Sequence, residues 1–190
     1  MDKQKDTLLL KEGIYENMSY EGESNMWCVN SMIWLFVYSF FGWCYETIVC
    51  SIQAGELVKR GFLFGPYLPI YGFGALLIIL CLHKRMNKAN LFLFSMLVTT
   101  ALEYATSWVL EMLFGRRWWD YSNYTIQLNG RVCLLASLLF GILGVLLVKY
   151  IHPRLKHRTD QIPPKIRVFC ASILFVAMST DFVFSVLRNL

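Results

Sequence analysis

Apolar residues gather in four stretches of the chain, at 27–53, 91–114, 132–151 and 168–187. Each is about as long as the roughly 20 residues that a helix needs to cross a hydrocarbon core. A fifth run, 69–82, offers only 14 residues, which as a helix is about 21 Å and falls short of that thickness. Directly before it, and overlapping its start, residues 60–74 read RGFLFGPYLPIYGFG, with four glycines, two prolines and five aromatics in fifteen residues. Pro66 and Pro69 each remove an N–H and disfavour helix in the residue before them. The pattern therefore predicts an irregular backbone at membrane depth that completes a second crossing. An unpaired N–H or C=O in lipid costs several kcal/mol, so such backbone survives only where protein shields it or where it lines a watery cavity. The expected architecture is an all-α integral membrane bundle of about five transmembrane helices. It makes a single domain over residues 26–190, behind a polar cytoplasmic tail at 1–25.

Two readings of the broken segment stand side by side. Gly/Pro-interrupted spans mark binding sites in transporters, which would make Gly65, Pro66, Pro69 and Gly72 the shapers of a site's backbone. Alternatively, Gly72 and Gly74 let two helices approach closely while the prolines shape a turn.

Acids inside the spans sharpen the first reading. Glu46 sits in FFGWCYETIVCS and Glu103 in TTALEYATSW, and an acid near a span's centre costs about 2.5–3.5 kcal/mol unless it faces the bundle interior and finds partners. Ser95, Thr99, Glu103, Ser107 and Glu111 recur at every fourth position and fall on one helical stripe. Ser39, Gly42, Glu46, Cys50 and Gln53 form a similar stripe on the first span. The connection GRRWWDYSNYTIQLNGR, 115–131, lies at the same end of the bundle as the broken segment. The convergent set is Glu46, Glu103, Glu111 and Asp120 with Arg60, Arg116, Arg117 and Arg131, ringed by Tyr67, Tyr71, Trp108, Trp118, Trp119 and Tyr121. In one reading the arginines and acids pair to hold helices and the aromatics form an interfacial belt. In the other, Glu46 and Glu103 bind a cationic or polar solute or exchange protons. Arg60, Arg117 and Arg131 are then their counter-charges, and Asp120, Tyr67 and Tyr71 complete the site.

Composition agrees with a membrane protein and excludes a soluble globule: 56% hydrophobic and 16% charged residues, with mean hydropathy +0.46. The first 25 residues carry six acids against Lys3, Lys5 and Lys11, the reverse of a signal peptide's basic start. With five spans, 12 of the 18 basic residues share the side of the N-terminus, which predicts that terminus in the cytoplasm. The net charge of +5 reads as attraction to anionic membrane lipids, and no nucleic-acid motif accompanies it. The six cysteines lie in apolar segments without ligand spacing, so neither a metal nor a disulfide is expected. His83, His152 and His157 read as headgroup-facing, Ser137, Gly141 and Gly144 as a packing face, and Asp181 as a residue that caps or pairs locally.

The blocks FFGWCYETIVCSIQAGELVKRGFLFGPYLPIYGFG and LEYATSWVLEMLFGRRWWDYSNYTIQLNGRVCLLASLLFG resemble the hallmark sequences of the bacterial ABC-transporter type IV membrane family, with coverage from about residue 34 to 153. Leu68 departs from the cysteine that many relatives place there, which argues against an essential thiol. The resemblance implies a multi-pass bacterial inner-membrane protein of permease type. The chain has no G-x-x-x-x-G-K-[ST] phosphate loop, so an ATP-driven role requires a separate ATPase subunit at the cytoplasmic connections. Five short spans enclose little volume, which favours a homo-oligomer. No cofactor is implied. A membrane enzyme acting on a lipid-linked or envelope substrate, with a carboxylate base and phosphate-binding arginines, and a non-catalytic assembly partner remain as alternatives.

Overall fold

The computed structural model describes the backbone of residues 3–82 and 85–189 and the side chains of residues 25–82 and 85–189. Helix α1 (Lys3–Ala54) is continuous through the polar N-terminal stretch, and its Asn25–Ala54 portion is long and apolar enough to cross a membrane. It ends where Gly55 takes a positive φ of 72° and its N–H meets the Ser51 carbonyl at 3.0 Å, a left-handed stop that glycine adopts without steric cost. The short α2 (Pro69–Cys81) opens on a proline, whose missing N–H is no loss in a first helical turn. Helix α3 (Lys88–Phe114) is capped by the Asn87 side chain and ends at Gly115 in the left-handed region. Helix α4 (Leu134–Leu146) passes through a π turn (Leu147–Ile151) into α5 (His152–Asp160). After a Pro163–Pro164 corner the chain returns as α6 (Pro164–Asn189). Four helical stretches thus meet the length and hydropathy of a span, and α2 is the shorter fifth.

The broken segment packs along α1, with Leu63 and Tyr67 buried and Phe64 and Pro66 exposed. Val58 N–H reaches the Ser51 hydroxyl at 3.0 Å, and Leu68 N–H reaches the Ser39 carbonyl at 2.9 Å. Between these two points the segment runs down twelve residues of α1, about 18 Å of helix. It thus lies alongside the span-length part of α1 before α2 begins.

Close helix contacts occur where side chains are absent. At Gly72 an added methyl would meet the Ser39 hydroxyl and the Leu35 carbonyl, and at Gly42 it would enter the Tyr71 ring; α2 lies against α1 for that reason. On the other flank α3 packs on α4, with Phe92 over Gly141 and Ser95 against Gly144. Thr100 donates to the Ser137 hydroxyl at 2.7 Å, so the small-residue face read from the sequence is the α3–α4 seam. The main apolar cluster forms around Trp34, Ile78, Leu91 and Leu147.

His152 differs from expectation. Its ring meets the Tyr38 hydroxyl at 3.0 Å and stands edge-on to Trp34 at 4.7 Å, packed against α1 and not turned to headgroups. The helix continues through the connection that contains it, and this continuation carries the ring round toward α1. His157 stays exposed beside Gln161, and His83 lies outside the described residues.

Candidate functional site

Glu46 stands on α1 one turn beyond Gly42. Because Gly42 carries no side chain, the Tyr71 ring lies across it and donates its hydroxyl to the Glu46 carboxylate at 2.7 Å. Arg60 approaches the other carboxylate oxygen at 3.5 Å, with both side chains about three-quarters covered (28% and 23% exposed). The Cys50 thiol adds a weak contact at 3.7 Å. The expected Arg60 counter-charge is thus in place, and the broken segment supplies it.

Glu103 is more deeply enclosed. It is 6% exposed and accepts the Tyr121 hydroxyl at 2.9 Å. Its second oxygen is buried and has no hydrogen-bond partner among the described residues. Arg117 and Arg131, expected from the sequence to balance Glu103, instead meet Glu111 at 3.0 and 2.6 Å. The reason is height along α3: Glu111 lies eight residues, about 12 Å, further toward the end where the 115–133 connection starts. Arg131 also reaches the Ser107 hydroxyl at 3.4 Å. The stripe predicted on α3 therefore divides into an ion-paired upper part and a lone enclosed acid below it.

The connection over Glu103 is ordered by a small hairpin, β1 (Gln127–Leu128) and β2 (Val132–Cys133), with Leu128 opposite Val132. Asn129 and Gly130 both take positive φ, 54° and 68°, and the Arg131 N–H closes the turn on the Leu128 carbonyl at 3.0 Å. Asn-Gly is the strongest short hairpin signal and was available in the sequence. Trp119 donates to the Arg131 carbonyl at 2.9 Å, and Tyr121 N–H to that of Gly130 at 2.8 Å. These bonds aim the Tyr121 ring at Glu103. Burial raises the Tyr121 phenol above its ordinary range, and the Glu103 charge adds to the effect, so the hydroxyl keeps its proton and donates. Asp120 serves the turn: it accepts the Ser122 hydroxyl and N–H at 2.5 and 2.9 Å. The Ser122 hydroxyl, with the Ser122 N–H beside it, holds the Asp120 carboxyl below the usual range.

Asp181 is the residue whose importance the sequence concealed. Its carboxylate accepts the N–H groups of Phe64 at 2.9 Å and Gly65 at 2.8 Å, the Tyr67 hydroxyl at 2.5 Å and the Ser185 hydroxyl at 3.0 Å. Only the last is local. Of the other three, two satisfy backbone N–H groups of the broken segment, which its prolines keep out of a helix, and the third takes the Tyr67 side chain. Tyr67 therefore serves Asp181 and not the Glu46 site. At Gly65 an added methyl would strike the Tyr67 ring, so this glycine allows the ring to fold back. Arg116 pairs with Asn189 and lies over Trp118 at 4.7 Å, apart from the acids.

Glu46 and Glu103 are each held by a tyrosine, Tyr71 and Tyr121. Arg60 joins Glu46; Arg117, Arg131, Asp120 and Tyr67 attach to neighbouring structures. Among the described residues no group of three or more His, Cys, Asp or Glu could hold a metal ion.

A family model described as Putative ABC-transporter type IV matches residues 33–186. The chain belongs to that family. Comparison with curated proteins and with solved structures gives no match. The match in this ABC-transporter type IV protein takes in Glu46, the broken segment, Glu103, the hairpin and Asp181. At the opposite end of the bundle, α5 and the start of α6 carry a second polar cluster. There Arg167 donates to Asn30 at 3.1 Å and approaches Asp160 at 3.6 Å, while Lys156 pairs with Asp160 at 2.6 Å. The Trp34 indole N–H meets the Thr159 hydroxyl at 3.0 Å beside them.

Proposed function

We propose that this membrane protein is a permease-like transport subunit in which Glu46 and Glu103 bind a cationic or polar solute or exchange protons. The observation that carries the reading is the enclosed Glu103 carboxylate, with one oxygen on a tyrosine and the other without a partner among the described residues. A buried acid without a full set of partners is costly, and a transported cation or proton would supply what is missing. Tyr121 closes over Glu103, so entry requires the 115–133 connection to move aside. Arg60 would compensate Glu46 when the site is empty.

By this reading the chain sits in a bacterial inner membrane with residues 1–25 on the cytoplasmic side and the Glu46 end outward. An ATPase would dock at the α5 end, since the chain has no phosphate loop of its own, and a homo-oligomer would enclose the pathway. The test is purification from native membranes for a stoichiometric ATPase, followed by proton or cation flux in vesicles holding the complex. Glu46→Gln and Glu103→Gln, each inserted normally, are expected to abolish flux. Unchanged flux with a lowered melting temperature would assign both acids to structure.

A further inference from the structure

A groove of about 490 Å³ opens on the outer flank of α6, away from the two acids, lined by Phe64, Ala177, Thr180, Asp181 and Phe184. We propose that it binds an anionic phospholipid, with an acyl chain along Ala177, Thr180 and Phe184 and the phosphate held by Arg188 and Lys59.

Helical spacing puts residues 177, 181, 184 and 188 on one face, so the face that lines the groove continues along α6 to Arg188, in the last turn of that span-length helix. Its walls are of the kind that acyl chains wet: Phe184 is 60% and Phe64 45% exposed, in a stretch where Phe182 and Val183 are equally bare. Two cations flank Phe64, one wall of the groove. The Arg188 guanidinium lies over the Phe64 ring at 4.0 Å and the Lys59 ammonium lies 5.9 Å from the same ring. Arg188 gives one N–H to the Phe62 carbonyl at 3.3 Å, and a guanidinium has five to give. Among the described residues neither cation has an ion-pair partner. The acid in the groove, Asp181, keeps its charge, but the N–H and O–H dipoles of its four donors offset part of its field. An apolar channel at span depth with two uncompensated cations beside its Phe64 wall matches a lipid that has one or two chains and a net negative headgroup. A zwitterionic lipid would bring its own cation against Arg188 and Lys59.

The test uses the full chain in detergent, with native mass spectrometry of bound phosphatidylglycerol against phosphatidylcholine of the same chains. Wild type is expected to retain phosphatidylglycerol about tenfold better or more, as two nearby cations would give. Lys59→Gln, at an exposed position, should reduce the preference, and Lys59→Gln with Arg188→Gln should bring it close to unity. Arg188→Lys should keep most of it, and Ala177→Trp, which fills the groove, should remove the bound lipid. Equal retention of both lipids, or a preference that these variants leave unchanged, would overturn the proposal. So would displacement by millimolar glycerol phosphate, which marks a chainless phosphate site. A lipid-free dimer that Ala177→Trp dissociates would assign the groove to a second copy and equally end it.

Discussion

The Asp181 carboxylate accepts the Gly65 N–H at 2.8 Å across 116 positions of sequence. This bond joins α6 to the proline-broken stretch and helps that stretch lie beside α1. A carboxylate takes the place of the missing helical carbonyls for Phe64 and Gly65.

Removing that acceptor should be costly. Asp181→Ala leaves two backbone N–H groups and the Tyr67 hydroxyl without acceptors, and charged hydrogen bonds are worth about 1.5–3 kcal/mol each. With Asp181 partly open to its surroundings, a loss of about 3 kcal/mol in all is expected. Thermal unfolding in detergent, with proteolysis of the 61–68 segment as a local readout, checks it; an unshifted melt would show that the segment holds itself.

The two glycines of α2 should answer differently to the same substitution. Gly72→Ala places a methyl 2.5 Å from the Leu35 carbonyl and should destabilise by about 1–3 kcal/mol through overpacking. Gly74→Ala meets only Leu102, at 3.5 Å, and should be neutral or stabilising by up to about 1 kcal/mol, because alanine favours helix. Parallel melting curves decide this, and equal effects would refute the packing assigned to Ser39 and Gly72.

Tyr121→Phe removes the hydroxyl that Glu103 accepts. A cost of about 1–3 kcal/mol is expected from the buried oxygen left behind. The same change made on a Glu103→Leu background should cost at least 1 kcal/mol less, because the partner is already gone. Strictly additive melts would show that the two side chains do not couple.

Asp120 gives a pH-dependent outcome. Its carboxyl is held low chiefly by the Ser122 hydroxyl, so its support of the turn is present at neutral pH and is lost as the pH falls through the depressed value. Ser122→Ala should move the Asp120 titration upward toward the ordinary carboxylate range, measured by carbon-13 NMR of labelled aspartate. A titration that does not move would assign the depression to another group, with Arg117 the next positive charge nearby.

Sequence by itself determined the membrane class, four span-length helices, the break before the shorter fifth and the presence of acids that had to be partnered. These follow from local quantities: hydropathy over about 20 residues, the missing N–H of Pro66 and Pro69, and the cost of a charge in hydrocarbon. The Asn129–Gly130 turn was equally local and could have been read. Partner choice was not local. Arg131 meets Glu111 and leaves Glu103 to Tyr121 because of heights along α3 and the reach of a hairpin. Asp181 acquired its role because α6 returns beside a segment more than a hundred residues earlier. Hydrogen bonds of this kind are set by which helix lies next to which, and only tertiary packing decides that.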